Sequence, residues 1–446
     1  MERYDSYKDS GVDWMNKIPS NWEKSRIRMV GDLYGGLTGK KGSDFNDEDN
    51  SSNKPFVPFT NIFNNTYISK DHFQYVNVEE NENQNRVLKN DLFFLMSSES
   101  YEDLGKCSIL LEDVEELYLN SFCKGFRIKD SKVYPLFLNY QLLGSLHKEM
   151  ISVEGNGFTR INLRQDRLLD ILVFIPPLSE QQQIVSFLDT KTSLIDSLIE
   201  KTQRKIELLK EKRTSLINEV VTTGLNPNVE MKDSGVECIG KIPSDWDIPS
   251  LNKISNITRL AGYEYTSYWE EDVNGEIEVL RGQNIGFGEI IEKNIDRISN
   301  ELSMRLIRSR LFKGDLVFPC VGTIGNCVVI NEDDRYHINQ NISKITPFDR
   351  VNSNFLCYYL LSHSTKFQIM FFNTSEVQPS VLVGNLRRFK ICLPPIVEQQ
   401  QIVEYLDEQT QLIDKTISIE EKRIKLLKEY RQSLISEVVT GKRKVV

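Results

Sequence analysis

Two stretches of the chain carry the same long helical pattern. Between Glu180 and Thr222 there is neither Gly nor Pro, and apolar residues recur at Ile184, Leu188, Ile195, Ile199, Ile206, Leu209, Leu216 and Val220. Their steps are mostly sums of three and four, the spacing of a coiled-coil seam. Ile402, Leu406, Ile413, Ile417, Ile424, Leu427, Leu434 and Val438 repeat it. Pro176-Pro177 and Pro394-Pro395 stand before the two runs, and Gly224 and Gly441 close them, as helix stops should. A helix of roughly 45 residues is a rod of about 65 Å, too long to be held by propensity alone. The pattern predicts that the two helices pair with each other, antiparallel, within one molecule. Packing of each rod on its own domain, or a homodimer, would also cover the seam.

The repetition extends beyond the rods. DSGV starts at Asp9 and at Asp233, and KIPSxW runs from Lys17 to Trp22 and from Lys241 to Trp246, both 224 residues apart. PPLSEQQQIVSFLD from Pro176 answers PPIVEQQQIVEYLD from Pro394, and SLINEVVT from Ser215 answers SLISEVVT from Ser433, at a spacing of 218. The chain is therefore a tandem duplication, which implies a pseudo-twofold arrangement. It divides into a lead-in segment (1–22), a globular domain (23–175), a helix (176–224), a second lead-in (225–246), a second globular domain (247–393) and a second helix (394–446).

The globular domains share only scattered anchors, such as Lys89-Asn90-Asp91-Leu92-Phe93-Phe94 with Lys313-Gly314-Asp315-Leu316-Val317-Phe318. One fold with two different surfaces follows. Both read as mixed α/β within an α+β whole, with strands near Phe73 to Val78, Leu92 to Met96, Glu278 to Leu280 and Leu316 to Phe318, separated by turn-rich segments. The loops hold amides, hydroxyls, cations and tyrosines, the groups that contact base edges and phosphates. In the first domain these are Lys40, Lys41, Asn61, Asn64, Ser97, Ser98, Tyr101, Asn156 and Arg160. In the second they are Arg259, Tyr263, Tyr265, Arg281, Gln283, Asn284, Thr323, Asn339, Gln340, Asn341 and Gln378.

Charge and composition narrow the function. A formal net charge of -9 over 446 residues argues weakly against DNA binding, because phosphate contacts are local and distant charge is screened over roughly 10 Å. It does imply a more basic partner. No apolar run approaches a membrane span and Met1-Glu2-Arg3-Tyr4-Asp5 lacks the apolar core of a signal peptide, so a cytoplasmic protein is expected. Seven scattered cysteines without a CxxC pair read as reduced thiols. His72, His147, His337 and His363 have no metal-ligand spacing, and no metal site is expected. Gly39-Lys40 lacks the first Gly and the Ser or Thr of a phosphate loop. Ile175-Pro176-Pro177-Leu178 and Leu393-Pro394-Pro395-Ile396 lack the Asn and the aromatic that hold a flipped base in amino-group DNA methyltransferases. No catalytic residue is expected on this chain.

A lead-in like YKDSGVDWMNKIPSNW, the helix start Pro-Pro-x-x-Glu-Gln-Gln-x-Ile-Val-x-x-Leu-Asp and the ending EVVT, each present twice, resemble the specificity subunits of Type I restriction-modification systems. The resemblance implies two target-recognition domains, each reading one half of an interrupted double-stranded DNA target. The paired helices act as a ruler and dock two methyltransferase subunits. It places no cofactor on this chain: S-adenosylmethionine belongs to the methyltransferase, which modifies adenine, and ATP and magnesium to the motor-nuclease restriction subunits.

Overall fold

The computed structural model describes residues 3–12, 15, 17–45, 53–372 and 380–445. By packing the chain forms two units, Met1–Thr202 with Lys422–Val446, and Gln203–Glu421. Both boundaries fall inside the long helices, Leu178–Thr223 and Ile396–Val439. Each unit thus combines one globular domain with a part of each helix.

In the first unit the seam residues Ile184, Leu188 and Ile195 are buried together with Leu434, Val438 and the indole of Trp22. The start of one helix meets the end of the other, and Arg431 pairs with Asp196 at 2.9 Å. The two segments are antiparallel. In the second unit Lys205 meets Glu420 at 2.6 Å, and Arg213 meets Asp414; numbers rise along one helix as they fall along the other. Ile206, Ile402, Leu406, Ile413, Ile417 and Val220 are buried there, while Ile199, Leu209, Leu216, Ile424 and Leu427 are half-buried. The intramolecular antiparallel seam read from the sequence is therefore present in both units, and the alternatives are not needed to cover it.

The first domain is built on a four-stranded antiparallel sheet in the order Gly31–Gly35, Cys123–Ile128, Leu92–Leu95, Cys107–Ile109. Leu92, Phe93, Phe94 and Leu95 are all fully buried, so this strand is covered on both faces and needs no polar alternation. The second domain repeats it with Ser255–Thr258, Ile342–Pro347, Leu316–Pro319 and Val328–Val329. A three-stranded sheet flanks each: Tyr118–Leu119, Asn53–Val57, Gln74–Asn77 in the first, and Asp296–Ile298, Ile277–Leu280, Tyr336–Ile338 in the second.

The shared anchor at the start of the buried strand has a physical reason. Asn90 (φ 70°) and Gly314 (φ 89°) turn the chain through the left-handed region, which Asn and Gly tolerate. The next residue, Asp91 or Asp315, is buried and accepts the N–H of Leu88 at 2.8 Å or of Phe312 at 2.7 Å. Its charge is met by Arg127 at 2.6 Å in one unit and by Lys344 at 2.9 Å in the other. All seven cysteines are free thiols and six are buried; burial pushes Cys123 up to about 12. No helix among the described residues is long and apolar enough to cross a membrane.

Candidate nucleic-acid interface

The repeated motifs build the frame on which the recognition surfaces stand. Trp22 and Trp246 are wholly buried. Each indole N–H donates at 3.0 Å to the carboxylate of the motif glutamate, Glu180 or Glu398. The following glutamine closes the loop before the helix. Gln181 accepts from the Tyr134 N–H at 2.7 Å and donates to the Lys132 and Pro176 carbonyls; Gln399 does the same with the Asn352 N–H, Arg350 and Pro394. Both glutamines have zero exposure, so each buried amide is satisfied on donor and acceptor sides. The Glu-Gln pair is thus a clamp between lead-in segment, domain and helix.

Nine residues after the motif glutamate lies a second joint. Asp189 accepts from the Tyr140 hydroxyl at 2.6 Å, and Asp407 from Tyr358 at 2.6 Å. These tyrosines belong to the helices Pro135–Leu143 and Ser353–Leu361 of the globular domains. Burial and the neighbouring carboxylate push the Tyr140 phenol up to about 12, so it remains a donor. The first unit adds Tyr67, whose hydroxyl also reaches Asp189 at 2.7 Å and Tyr140 at 2.8 Å. The joint of the second unit has one phenol, backed by Thr410 at 3.2 Å.

The residues predicted to touch DNA divide by what already holds them. In the first unit Ser97, Ser98, Tyr101, Asn156 and Arg160 come together. The strands Gly155–Asn156, Ile161–Leu163 and Ser97–Ser98 form one small antiparallel sheet. Arg160 donates to the Ser97 hydroxyl at 2.9 Å, and Tyr101 donates to the Gly157 carbonyl at 3.3 Å. Lys41 and Asn64 are exposed elsewhere on the domain. Three expectations need correction as solvent-facing readers. Ser97 is buried, its hydroxyl accepting from Arg160. Lys40 is ion-paired with Glu82 and its side chain is 9% exposed. Asn61 is buried, donating to the Ser69 carbonyl at 2.8 Å and accepting from Asn65. Lys40 and Asn61 organise loops.

In the second unit Arg259, Tyr263, Gln283, Thr323 and Asn341 are exposed and Gln340 is half-buried. Tyr265 packs against Trp269, the rings tilted by 31° with centres 5.2 Å apart. The corrections here are Asn284 and Asn339, both buried, and Arg281. Asn284 donates to the Ile291 and Lys293 carbonyls, so its amide shapes a turn. Arg281 is held by Glu271 at 2.8 Å and by Asp296. Gln378 lies outside the described residues.

Two cations and several aromatics escaped the sequence reading. The Arg305 guanidinium lies 4.0 Å from the Tyr268 ring centre, and the Thr258 hydroxyl bonds the Arg308 carbonyl at 3.0 Å, drawing Arg308 to the segment of Arg259. The run Leu306-Ile307-Arg308-Ser309-Arg310, just after Arg305, was the available signal. In the first unit Phe158 and Phe122 are exposed; a phenylalanine between Gly157 and Arg160 in a polar stretch marked the former.

The helices also keep an exposed apolar flank. Leu194, Leu198, Leu426 and Tyr430 in the first unit, and Leu208, Leu412 and Ile419 in the second, are each 41–58% exposed. Leu412, Ile419 and Leu426 follow one another at heptad spacing, as do Leu194 and Leu208 across two heptads. In an antiparallel pair the same flank of both helices lies on the same side of the seam, so within each unit these side chains form one surface.

Two units of one fold, each carrying a different set of polar and aromatic groups on a repeated helical frame, define a duplicated recognition protein. The family model described as the Type I restriction modification DNA specificity domain matches residues 19–208 and again 243–429. The chain belongs to this family, and DNA recognition is its function. It is similar to the Type I restriction enzyme MjaVIII specificity subunit of Methanocaldococcus jannaschii, at 24% identity over 98% of this chain and 97% of that protein. Two solved structures share its fold. One is a chain studied for complex assembly and conformational transition of the type I R-M system, with a TM-score of 0.70 and 15% identity over 96% of this chain and all of that one. The other is the HsdS subunit from Thermoanaerobacter tengcongensis, with a TM-score of 0.51 and 16% identity over 96% of this chain and 98% of that one.

Proposed function

We propose that each unit reads one half of an asymmetric, interrupted duplex target, while the paired helices set the unread spacer. The observation that carries this is the contrast between an invariant frame and divergent surfaces. The Trp-Glu-Gln clamp and the Tyr-Asp joint recur residue for residue, whereas the segments that follow the equivalent edge strands, Gly36-Leu37-Thr38 after Gly31–Gly35 and Arg259-Leu260-Ala261 after Ser255–Thr258, differ. Two different surfaces on one frame read two different sequences. Direct readout of this kind uses side-chain amides, hydroxyls and guanidinium groups on base edges.

In this reading the chain performs no chemistry itself and acts in the cytoplasm. The exposed flanks of the two units, Leu194, Leu198, Leu426 and Tyr430 in the first and Leu208, Leu412 and Ile419 in the second, receive helices of two methyltransferase subunits, because an apolar stripe beside a filled seam is the surface on which further helices pack. S-adenosylmethionine sits on those subunits, which methylate adenine. With restriction subunits that use ATP and magnesium, the assembly cleaves unmodified DNA. The experiment is to exchange residues 23–175 for the corresponding domain of a relative, co-express with the methyltransferase, and map methylated adenines across the host genome. One half-site should change and the other should persist; a change in both halves would refute the assignment of one unit to one half.

A further inference from the structure

The fully exposed ring of Phe158 is the least expected side chain of the first unit. It stands in the loop that joins Gly155–Asn156 to Ile161–Leu163, with the chain turned at Gly157 (φ 139°). Its relative exposure is 104%, so none of the described residues covers it. Leaving a phenyl in water forgoes the gain of burying it; Phe122, 62% exposed beside the Arg160 guanidinium, adds a second ring, and two exposed rings grouped with a cation point to a ligand that accepts them.

The surroundings indicate which ligand. Arg160 lies two residues on, its guanidinium 5.8 Å from the centre of the Phe122 ring and bonded to the Ser97 hydroxyl at 2.9 and 3.2 Å. Among the described residues no carboxylate pairs with it. Tyr101 braces the tip through the Gly157 carbonyl, and Asn162, exposed on the adjoining strand, donates to the Arg160 carbonyl at 3.2 Å. Glu99 and Glu102, on the neighbouring turn, are exposed, so a phosphate is met at Arg160 and not at that turn. Two rings amid polar groups are too small for the core of a protein interface, which needs about 800 Å² from each partner. A two-stranded ribbon with an apolar tip and one unpaired cation fits a DNA groove, where Phe packs on thymine methyls or against a base step.

We propose that the hairpin from Gly155 to Leu163 enters the DNA at the half-site read by the first unit, with Phe158 packed against the bases and Arg160 beside it at the backbone. The proposal rests on the reading of this chain as a two-half recognition subunit. It makes Phe158 a specificity-determining residue, and Arg160 a charge contact that adds affinity with less selectivity.

The test uses the full chain assembled with its methyltransferase, on a duplex bearing the target found by methylation mapping and on a scrambled duplex of equal length. Phe158→Ala should lower affinity for the target about tenfold or more, leave scrambled DNA unchanged, and leave the salt dependence of binding unchanged because no charge is lost. Phe158→Tyr should restore most of the loss. Arg160→Gln should weaken both duplexes and reduce the salt slope by about one. Unchanged target affinity in Phe158→Ala would overturn the proposal. So would a defect in assembly with the methyltransferase at unaltered DNA affinity, which would make the ring a protein contact. Failure of the unaltered complex to prefer its target would instead refute the two-half reading.

Discussion

Replacing Asp189 by Ala should loosen the first recognition domain from the rod more than the equivalent Asp407→Ala loosens the second. Asp189 accepts two phenols, Tyr67 at 2.7 Å and Tyr140 at 2.6 Å, whereas Asp407 accepts one, Tyr358 at 2.6 Å. A hydrogen bond to a charged group contributes about 1.5–3 kcal/mol. Two are lost in Asp189→Ala, but the phenols still bond each other at 2.8 Å, and Tyr140 keeps Thr192 at 3.3 Å. The net cost is then about 2–4 kcal/mol, against about 1–2 kcal/mol for Asp407→Ala, where Thr410 takes over the Tyr358 hydroxyl. A melting temperature would blur the two units, because a chain of several cooperative units has no single transition. Hydrogen exchange resolved by peptide does not. Protection of Pro135–Leu143 should fall about 30-fold or more in Asp189→Ala, at roughly tenfold per 1.4 kcal/mol. Protection of Ser353–Leu361 should fall about tenfold in Asp407→Ala. Tyr67→Phe should bring the first joint close to the second. Equal losses in the two units, or a greater loss in the second, would refute this account of how the domains are held.

Three further outcomes follow from the same contacts. His147 is buried, donates from Nε2 to the Leu172 carbonyl at 3.0 Å, and is pulled down to about 4 by burial. The unfolded chain therefore takes the proton first, near pH 6.5, and this contribution is complete above that pH and lost as pH falls toward 4; between pH 7.5 and 5 it amounts to about 2 kcal/mol. Urea unfolding at the two pH values should show it, and His147→Leu should flatten the dependence; an unaltered pH dependence in that variant would count against it. Leu412→Glu with Ile419→Glu should leave folding intact and weaken methyltransferase binding about tenfold or more, whereas unaltered co-elution on size exclusion would remove the exposed flank from the docking surface. Inserting four residues after Thr202 lengthens the rod by about 6 Å; methylation mapping should then find a changed spacer between two unchanged half-sites, and altered half-sites would refute the ruler.

The frame was legible in the sequence because duplication printed it twice. Ile184 to Val220 and Ile402 to Val438 show their period without help, and their pairing follows from the need to bury it. The clamp was visible as a motif but not as a contact: nothing in KIPSxW and EQQQ says that the indole of Trp22 donates to Glu180 across 158 residues. The recognition surfaces were less legible, because polar residue types in loops serve two ends. Asn61 and Asn284 looked like base readers and instead satisfy backbone groups of buried turns. A side-chain amide that holds a loop and one that waits for a base have the same composition, and only burial separates them. Phe158 was missed for the opposite reason, since a lone Phe is ordinarily assigned to a core.

The distribution of cations connects the acidic total to the way DNA is gripped. In the second unit Arg281, Arg297, Arg310, Arg335 and Lys344 are each engaged with a carboxylate of the same unit. These charges rigidify loops and contribute little to the attraction of phosphate. Arg259, Arg305 and Arg308, with Arg160 in the first unit, meet no carboxylate among the described residues. Sequence-independent binding comes from phosphate neutralisation, and a chain with a formal net charge of -9 supplies an overall field that opposes it. Its selectivity then rests on short-range contacts, the hydroxyls, amides and the Phe158 ring, which act only once the duplex is held close. The holding charge must come from the assembly. At about 150 mM salt, where the screening length is about 8 Å, the chain alone should bind its target far more weakly than it does with its methyltransferase. The salt slope of the complex should be steeper than that of the chain. Equal affinity and equal slope would place the phosphate grip on this chain after all.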